Sequence, residues 1–406
     1  MINKLQSLFY IYSSTFFSFL TSLYLAKQLG DKLYGFIALG VAIGAIVQIV
    51  INFGMDKSLL REVTSLDKGE DVNSVIASFI CKRLIIFIFT SLLISSVYLF
   101  LFFTRENEFE NYALALLIGY IIFQSLLGLY PKGAFEYIEK ISTQNKILFL
   151  ERFLIFIFVY AFFELFGSSN ILHLVFLMVL VRVISISTQL KVIGVFNSLH
   201  KNIFLNLKPE TIGGGYITIA LLFNSLIYYG MQLIVPLSHG LDEVSSIGVA
   251  LQFCLIVTIT QTQVCRYLNK SIFLDKFKEH LNKKIMQMFF LSIPLALLYV
   301  LAIHVCKEFY LVDGYKNLTS HSYFLAVWLV LLGPGLVINQ YVIAKKLDNI
   351  YMKISMCSSF LCLFISYIIS TYSEVYLISL SLLIPHCVSM LVQYMELYRS
   401  EYEKVC

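Results

Sequence analysis

Stretches of about twenty apolar residues alternate with shorter polar connections along the chain, each long enough to cross about 30 Å of hydrocarbon as a helix. Twelve are read, at about 8–25, 33–53, 84–103, 112–130, 147–166, 171–193, 212–236, 244–265, 285–303, 322–343, 350–370 and 375–395. The seventh and tenth are broken by Gly213, Gly214 and Gly215 and by Gly333, Pro334 and Gly335. The pattern predicts an all-α polytopic membrane protein. It divides into a six-helix bundle over 1–196, a polar cytoplasmic linker over 197–211 and a second six-helix bundle over 212–406. Each half has its longer cytoplasmic connection after its second helix, at 54–83 and 266–284, which predicts parallel repeats and a transporter whose path lies between two bundles.

Composition agrees with that division. Apolar residues make up 59% of the chain and charged residues 14%, with a mean hydropathy of +0.81, where soluble domains carry about 25% charged residues. Positive charge is enriched in cytoplasmic loops of membrane proteins. With the amino terminus inside, cytoplasmic segments and helix ends hold 24 of the 30 lysines and arginines, and outer segments hold five: Lys27, Lys32, Arg105, Lys307 and Lys316. A missed or invented span midway would scramble this alternation, so the count points to twelve helices with both termini cytoplasmic. The net charge of +5 follows from that topology and calls for no nucleic-acid partner. The first apolar stretch lacks a convincing cleavage site and is expected to stay as a helix. The eight cysteines are scattered without metal-ligand spacing and read as small apolar residues. His304 and His321 are too sparse a pair to suggest a metal, and no cofactor is expected.

Arg182 is the remaining cation, near the centre of the sixth stretch, where an ionised side chain costs about 2.5–3.5 kcal/mol on insertion scales. The nearest acids on the neighbouring helix, Glu151 and Glu164, fall near its inner and outer ends, about 10 Å or more from Arg182 in depth. Arg182 therefore lacks an obvious carboxylate at its own depth. Two readings stand: a site for an anion brought from outside the protein, or bonding to exposed carbonyls between helices. Ser185 and Gln189 share a helix face with Arg182 at spacings of three and four. Asn224, Tyr228 and Gln232 repeat every four residues as a polar stripe on the seventh helix, fitted either to sugar hydroxyls or to helix packing.

Two segments carry a family resemblance. Residues 25–63 read LAKQLGDKLYGFIALGVAIGAIVQIVINFGMDKSLLREV, and residues 130–147 read YPKGAFEYIEKISTQNKI. They resemble, respectively, the amino-terminal signature and the segment after the fourth helix of the polysaccharide-biosynthesis (O-antigen, Wzx-type) flippases in the multidrug/oligosaccharidyl-lipid/polysaccharide exporter superfamily. The resemblance implies two six-helix bundles that expose a cavity alternately to each side of the bacterial inner membrane. Its implied cargo is an undecaprenyl-pyrophosphate-linked oligosaccharide, an O-antigen or capsule repeat unit. Membrane lipid and other polysaccharide-assembly proteins are the implied partners. On that reading Arg182 meets the pyrophosphate, helped by Arg61, Lys140 and Arg152 at the cytoplasmic mouth, and the glycan lies along Ser185, Gln189, Asn224, Tyr228 and Gln232. Ordinary positive-inside anchoring explains Arg61, Lys140 and Arg152 as well. The alternatives are a multidrug or cation antiporter of the same superfamily and a membrane polysaccharide polymerase. The first is disfavoured by the lack of a mid-membrane carboxylate. The second is disfavoured because the longest outer connection, 304–321, carries only Glu308 and Asp313 as acids and no catalytic constellation. Tyr130-Pro131 and Gly333-Pro334-Gly335 are candidate hinges.

Overall fold

The computed structural model describes residues 2–56, 59, 72–104, 108–167, 171–195, 215–274, 277–309, 312, 314, 315, 317–345 and 347–402. All regular structure among them is helical. In chain order the helices are α1 (Ile2–Asn52), α2 (Val72–Thr104), α3 (Glu108–Ser125), α4 (Lys132–Tyr137), α5 (Ile141–Phe166) and α6 (Ile171–Ile193), followed by α7 (Gly215–Ile234), α8 (Leu241–Leu274), α9 (Phe277–Glu308), α10 (Leu318–Ala344), α11 (Asp348–Tyr372) and α12 (Leu380–Tyr402). Short 3-10 turns occupy Leu126–Leu129, Val235–Leu237 and Val375–Ser379. Helices suit these sequences because hydrocarbon offers no partner to a free N–H or C=O, and a helix satisfies its backbone internally.

Among the described residues, ten helical spans are long and apolar enough to cross a membrane, so the chain is a multi-pass membrane protein. Helix α5 falls outside that set and carries Glu151, Arg152 and Glu164 along its length. Helix α2 shows what the lipid-facing surface looks like: Phe89, Leu92 and Phe100 are 69%, 63% and 70% exposed. Such exposure would be a liability in water. In a bilayer it is the solvated state.

Helix α1 contains the first two apolar stretches, joined at Gly30, whose backbone lies at φ 68°, ψ 177°. That region is open essentially to glycine alone. Open space surrounds a Cβ at this position, so the constraint comes from the backbone and not from crowding. Gly30→Ala is expected to cost about 1–3 kcal/mol through this strain. Its check is a lower unfolding midpoint in detergent.

The described chain forms two compact units, one of Met1–Leu29 with Leu39–Thr218, the other of Gly30–Ala38 with Ile219–Cys406. The expected linker, 197–211, lies outside the described residues. The short Gly30–Ala38 segment groups with the second unit, which the sequence division at 196 did not anticipate. Gly35 explains how: a Cβ there would land on the Leu241 carbonyl oxygen, so only glycine lets the backbones come together.

The first unit has a core of Ile51, Ile76, Phe79, Leu126, Phe135 and Leu190, built where α1, α2, α4, α6 and the Leu126–Leu129 turn converge. In the second unit α10 packs against α8, α9, α11 and α12. Its Gly333 has no Cβ, where one would collide with Ser292 of α9. Helix α11 turns small buried residues, among them Ser355, Ser359 and Ser366, toward its neighbours, and Ser359 Oγ donates to the Phe223 carbonyl of α7 at 2.7 Å. Small and hydroxyl side chains let helices approach closely in lipid, where apolar contact between helices gains nothing over contact with acyl chains.

Candidate functional site

Arg182 lies on α6 with its side chain fully buried. Its Nε donates to Glu151 Oε1 at 3.0 Å, its Nη1 donates to the Phe123 carbonyl at 2.6 Å, and its Cζ stands 3.6 Å above the centre of the Phe123 ring. The expectation that Arg182 lacks a carboxylate is therefore wrong. Helix α5 begins at Ile141, several residues before the stretch read from the sequence, which brings Glu151 deeper into the helix. Measured back from the α5–α6 connection at 1.5 Å per residue, Glu151 and Arg182 differ in depth by only about 6 Å, which two long side chains span.

Glu151 has a second donor. The Tyr130 hydroxyl, at the end of the Leu126–Leu129 turn, donates to Glu151 Oε2. The carbonyl of the same Tyr130 accepts from Arg83 Nη1 at 2.9 Å, and Arg83 Nη2 pairs with Asp56 Oδ1 at 2.8 Å. Asp56 also accepts from the Gly133 N–H at 2.9 Å and from Asn52 Nδ2 at 2.9 Å. Tyr130 thus joins two ion pairs into one continuous polar path through the first unit, from Asp56 and Arg83 to Glu151 and Arg182. A charge in a low-dielectric interior is tolerated when it is paired and its remaining hydrogen-bonding atoms are satisfied. Nearly all of these are. The exceptions are Arg83 Nε and Arg182 Nη2, which make no hydrogen bond among the described residues.

Asp56 lies beyond the end of α1 and outside its membrane-spanning residues. Burial acts to raise its carboxyl, but the Arg83 guanidinium, the Gly133 N–H and the charge of Lys132 outweigh that and hold it below the ordinary carboxylate value. Gly133 is required for this arrangement, because a Cβ there would stand 2.6 Å from the Asp56 carbonyl oxygen. Asp56 belongs to the first of the two sequence segments that carried the family resemblance, and Gly133 and Tyr130 belong to the second. In the folded protein the two segments bond to each other.

The other residues singled out from the sequence separate into three groups. Ser185 and Gln189 are buried beside Arg182, with Gln189 Nε2 donating to Ser185 Oγ at 3.5 Å and Gln144 Nε2 of α5 donating to Gln189 Oε1 at 3.3 Å. They extend the helix–helix network rather than an open face. Arg152 reaches to 4.0 Å from Glu151 while keeping 20% of its side chain exposed, and Lys140 is exposed. Arg61 lies outside the described residues. On α7, Asn224 Nδ2 donates to the Tyr351 hydroxyl of α11 at 2.7 Å, and Tyr228 packs at 5.6 Å from the ring of Trp328 of α10. Gln232 is buried beside Gly248 of α8. The stripe is one face of a helix, as its spacing predicts, but its three members serve three different helix contacts.

Residues that the sequence reading passed over prove central. Arg83 is one of the 24 basic residues that the charge pattern assigns to cytoplasmic segments and helix ends, yet it is 1% exposed and paired. In the sequence Asp56 is only a motif letter, and Tyr130 is a motif letter and part of a candidate hinge. Their signal was their place in those motifs, since nothing in local spacing connects residues so far apart in sequence.

No protein-family model matches the sequence, and no curated protein matches it. Solved structures do match in fold. A lipid II flippase, MurJ, in an inward closed conformation, superposes with a TM-score of 0.73 at 15% identity, covering 98% of this chain and 87% of that one. The chain has the MurJ and MATE fold. An outward-facing multidrug resistance MATE family transporter of the MOP superfamily superposes at 0.62, with 12% identity over 98% of this chain and 96% of its own. A point mutant of a MATE protein follows at 0.54, with 14% identity over 99% and 94%. Identities this low establish architecture and leave the cargo to be argued from residues.

Proposed function

We propose that the chain is a flippase for undecaprenyl-pyrophosphate-linked oligosaccharide, moving an O-antigen or capsule repeat unit from the inner to the outer leaflet of the bacterial inner membrane by alternating access. Twelve crossings with both termini cytoplasmic belong to the same reading. The observation that carries it is the junction of the two polysaccharide-flippase-like segments through Asp56, Gly133 and Tyr130, on a chain with the fold of a lipid II flippase. The junction supports this reading by making the two segments neighbours in the first unit.

The pyrophosphate needs cations that are free to meet it. Arg182 is committed to Glu151 and Phe123, so in this reading it holds α3, α5 and α6 in register, and the cargo is met by the exposed Lys140 and by Arg152, half-buried and only loosely held at 4.0 Å from Glu151, together with Arg61. Guanidinium offers a planar fork suited to phosphate oxygens. A second reading, a proton- or cation-coupled antiporter, gains one supporting observation. Glu151 is a buried carboxylate at membrane depth, the kind of group whose apparent absence counted against that reading. Its double engagement by Arg182 and Tyr130 leaves it poorly placed to exchange a cation.

Complementation separates the two. Expressed in a strain lacking its own repeat-unit flippase, across strains of matched glycan structure, the wild-type chain is expected to restore surface polysaccharide. Arg152→Ala with Lys140→Ala should lower that restoration severalfold at equal protein level. Drug resistance without polysaccharide in any strain would instead select the antiporter.

A further inference from the structure

At one end of the second unit two titratable side chains face each other across a gap. Glu243 lies in the first turn of α8 and His321 in the first turn of α10. His321 is fully buried, and the Glu243 side chain retains 13% of its exposure. His321 Nε2 and Glu243 Oε2 are 3.6 Å apart, beyond hydrogen-bond length, and neither atom has a hydrogen-bond partner among the described residues. The remaining atoms of the pair are fixed. His321 Nδ1 meets Ser379 Oγ of the Val375–Ser379 turn at 2.9 Å, and Asn317 Nδ2 donates to Glu243 Oε1 at 2.5 Å.

We propose that Glu243 and His321 form a proton-binding latch that ties α8, α10 and the Val375–Ser379 turn together when a proton is bound. A neutral imidazole has one N–H and one bare nitrogen. With the hydrogen on Nδ1, Ser379 receives a donor and the bare Nε2 faces the carboxylate, lone pair against lone pair. With the hydrogen on Nε2, the carboxylate gains its donor and Ser379 must turn its hydroxyl inward. A second proton makes both nitrogens donors at once and places opposite charges side by side. A charge-assisted hydrogen bond of about 2.7–2.9 Å then replaces the 3.6 Å gap.

The surroundings carry groups of both signs, with Lys32 exposed beside Asp31 on the Gly30–Ala38 segment and His239, ahead of α8, held by the Ser370 carbonyl at 2.7 Å. Asp242 precedes Glu243 on α8, and its carbonyl accepts from Ser245 and Ser246. From the Gly30–Ala38 segment, Asp31 lies 3.6 Å from where a Gly314 Cβ would stand, and the Tyr34 ring is 6.2 Å from that of Tyr315. Glu374 precedes the Val375–Ser379 turn and is exposed. On α9, Lys307 and Glu308 are exposed, and His304 is engaged by the Val300 carbonyl and the Tyr323 hydroxyl. An imidazolium at His321 would have the Glu243 carboxylate, 3.6 Å away, as its counter-charge.

Hydrogen exchange on the purified protein in lipid nanodiscs tests the latch without reference to any cargo, so its outcome is separate from that of the flippase reading. After correction for intrinsic rates, amides in 241–246, 317–322 and 375–379 are expected to exchange severalfold more slowly at pH 6 than at pH 8. His321→Gln and Glu243→Gln should each abolish that difference while leaving protection in α5 and α6 unchanged. The proposal is overturned if the wild type shows no pH difference in these segments, or if the difference survives in either folded variant. Should His321→Gln fail to fold, Glu243→Gln alone decides between the same outcomes.

Discussion

Glu151→Leu is expected to destabilise the protein by about 3–5 kcal/mol, the usual cost of stranding one member of a buried ion pair. The stranded group is Arg182, which is fully buried and makes one other hydrogen bond, to the Phe123 carbonyl. A guanidinium cannot shed its proton to escape the apolar surroundings. Arg182→Met should cost less, because the carboxyl of Glu151 can take up a proton and keeps the Tyr130 hydroxyl beside it. Combining the two replacements removes both charges and leaves apolar side chains of similar volume, a change that is often neutral in buried pairs. The double variant is therefore expected to recover most of the unfolding midpoint lost in Glu151→Leu, read by denaturation in detergent. It also decides the role of Arg182. Surface polysaccharide restored by the double variant would make Arg182 a packing residue, whereas a folded but inactive double variant would give the Glu151–Arg182 pair a part in transport beyond packing.

Arg83→Met is expected to cost about 2–3 kcal/mol, somewhat below the fully buried range because the Asp56 side chain keeps 19% exposure and part of its charge is screened by solvent. The consequence reaches beyond the pair. Arg83 Nη1 also holds the Tyr130 carbonyl, so its loss loosens the turn that presents the Tyr130 hydroxyl to Glu151. The acid side of the stability profile supplies an independent check. The Asp56 carboxyl is held below its ordinary value in the folded protein, so the unfolded state binds the proton more readily. Its stabilisation is complete above the unfolded carboxylate value, about 4, and is lost as pH falls through the lower folded value. Wild type should thus lose stability between about pH 4 and the folded value by an amount that Asp56→Asn does not share. A profile with equal slopes in wild type and Asp56→Asn would remove Asp56 from the account.

Much of this architecture was legible in the sequence because lipid imposes a one-dimensional rule. A segment that crosses hydrocarbon must be apolar for about twenty residues and helical throughout, so span and helix type can be read without knowing any neighbour. Gly30 stood in the sequence only as a letter of the first family-like segment, and the structure adds that its backbone angles admit little else. The candidate site was less legible. Arg182 stood out because its cost is local, but its partner did not, because finding Glu151 required the true start of α5 and the reach of two side chains across a helix interface. The Asn224, Tyr228 and Gln232 stripe shows the same limit. Periodicity placed the three residues on one face, and packing supplied their neighbours, Tyr351, Trp328 and Gly248, while Asn224 and Tyr228 stay half-buried.

The sequence by itself determined a helical, multi-pass membrane protein with one costly cation at depth, since hydropathy and charge are properties of single residues and their near neighbours. Tertiary structure alone decided that Arg182 is paired, that Arg83 is no surface anchor, and that Asp56, Tyr130 and Gly133 draw two distant segments into one network. The physical reason is distance along the chain. Ion pairing and hydrogen bonding act over a few ångströms, and residues separated by tens of positions come within that range only after the helices have packed.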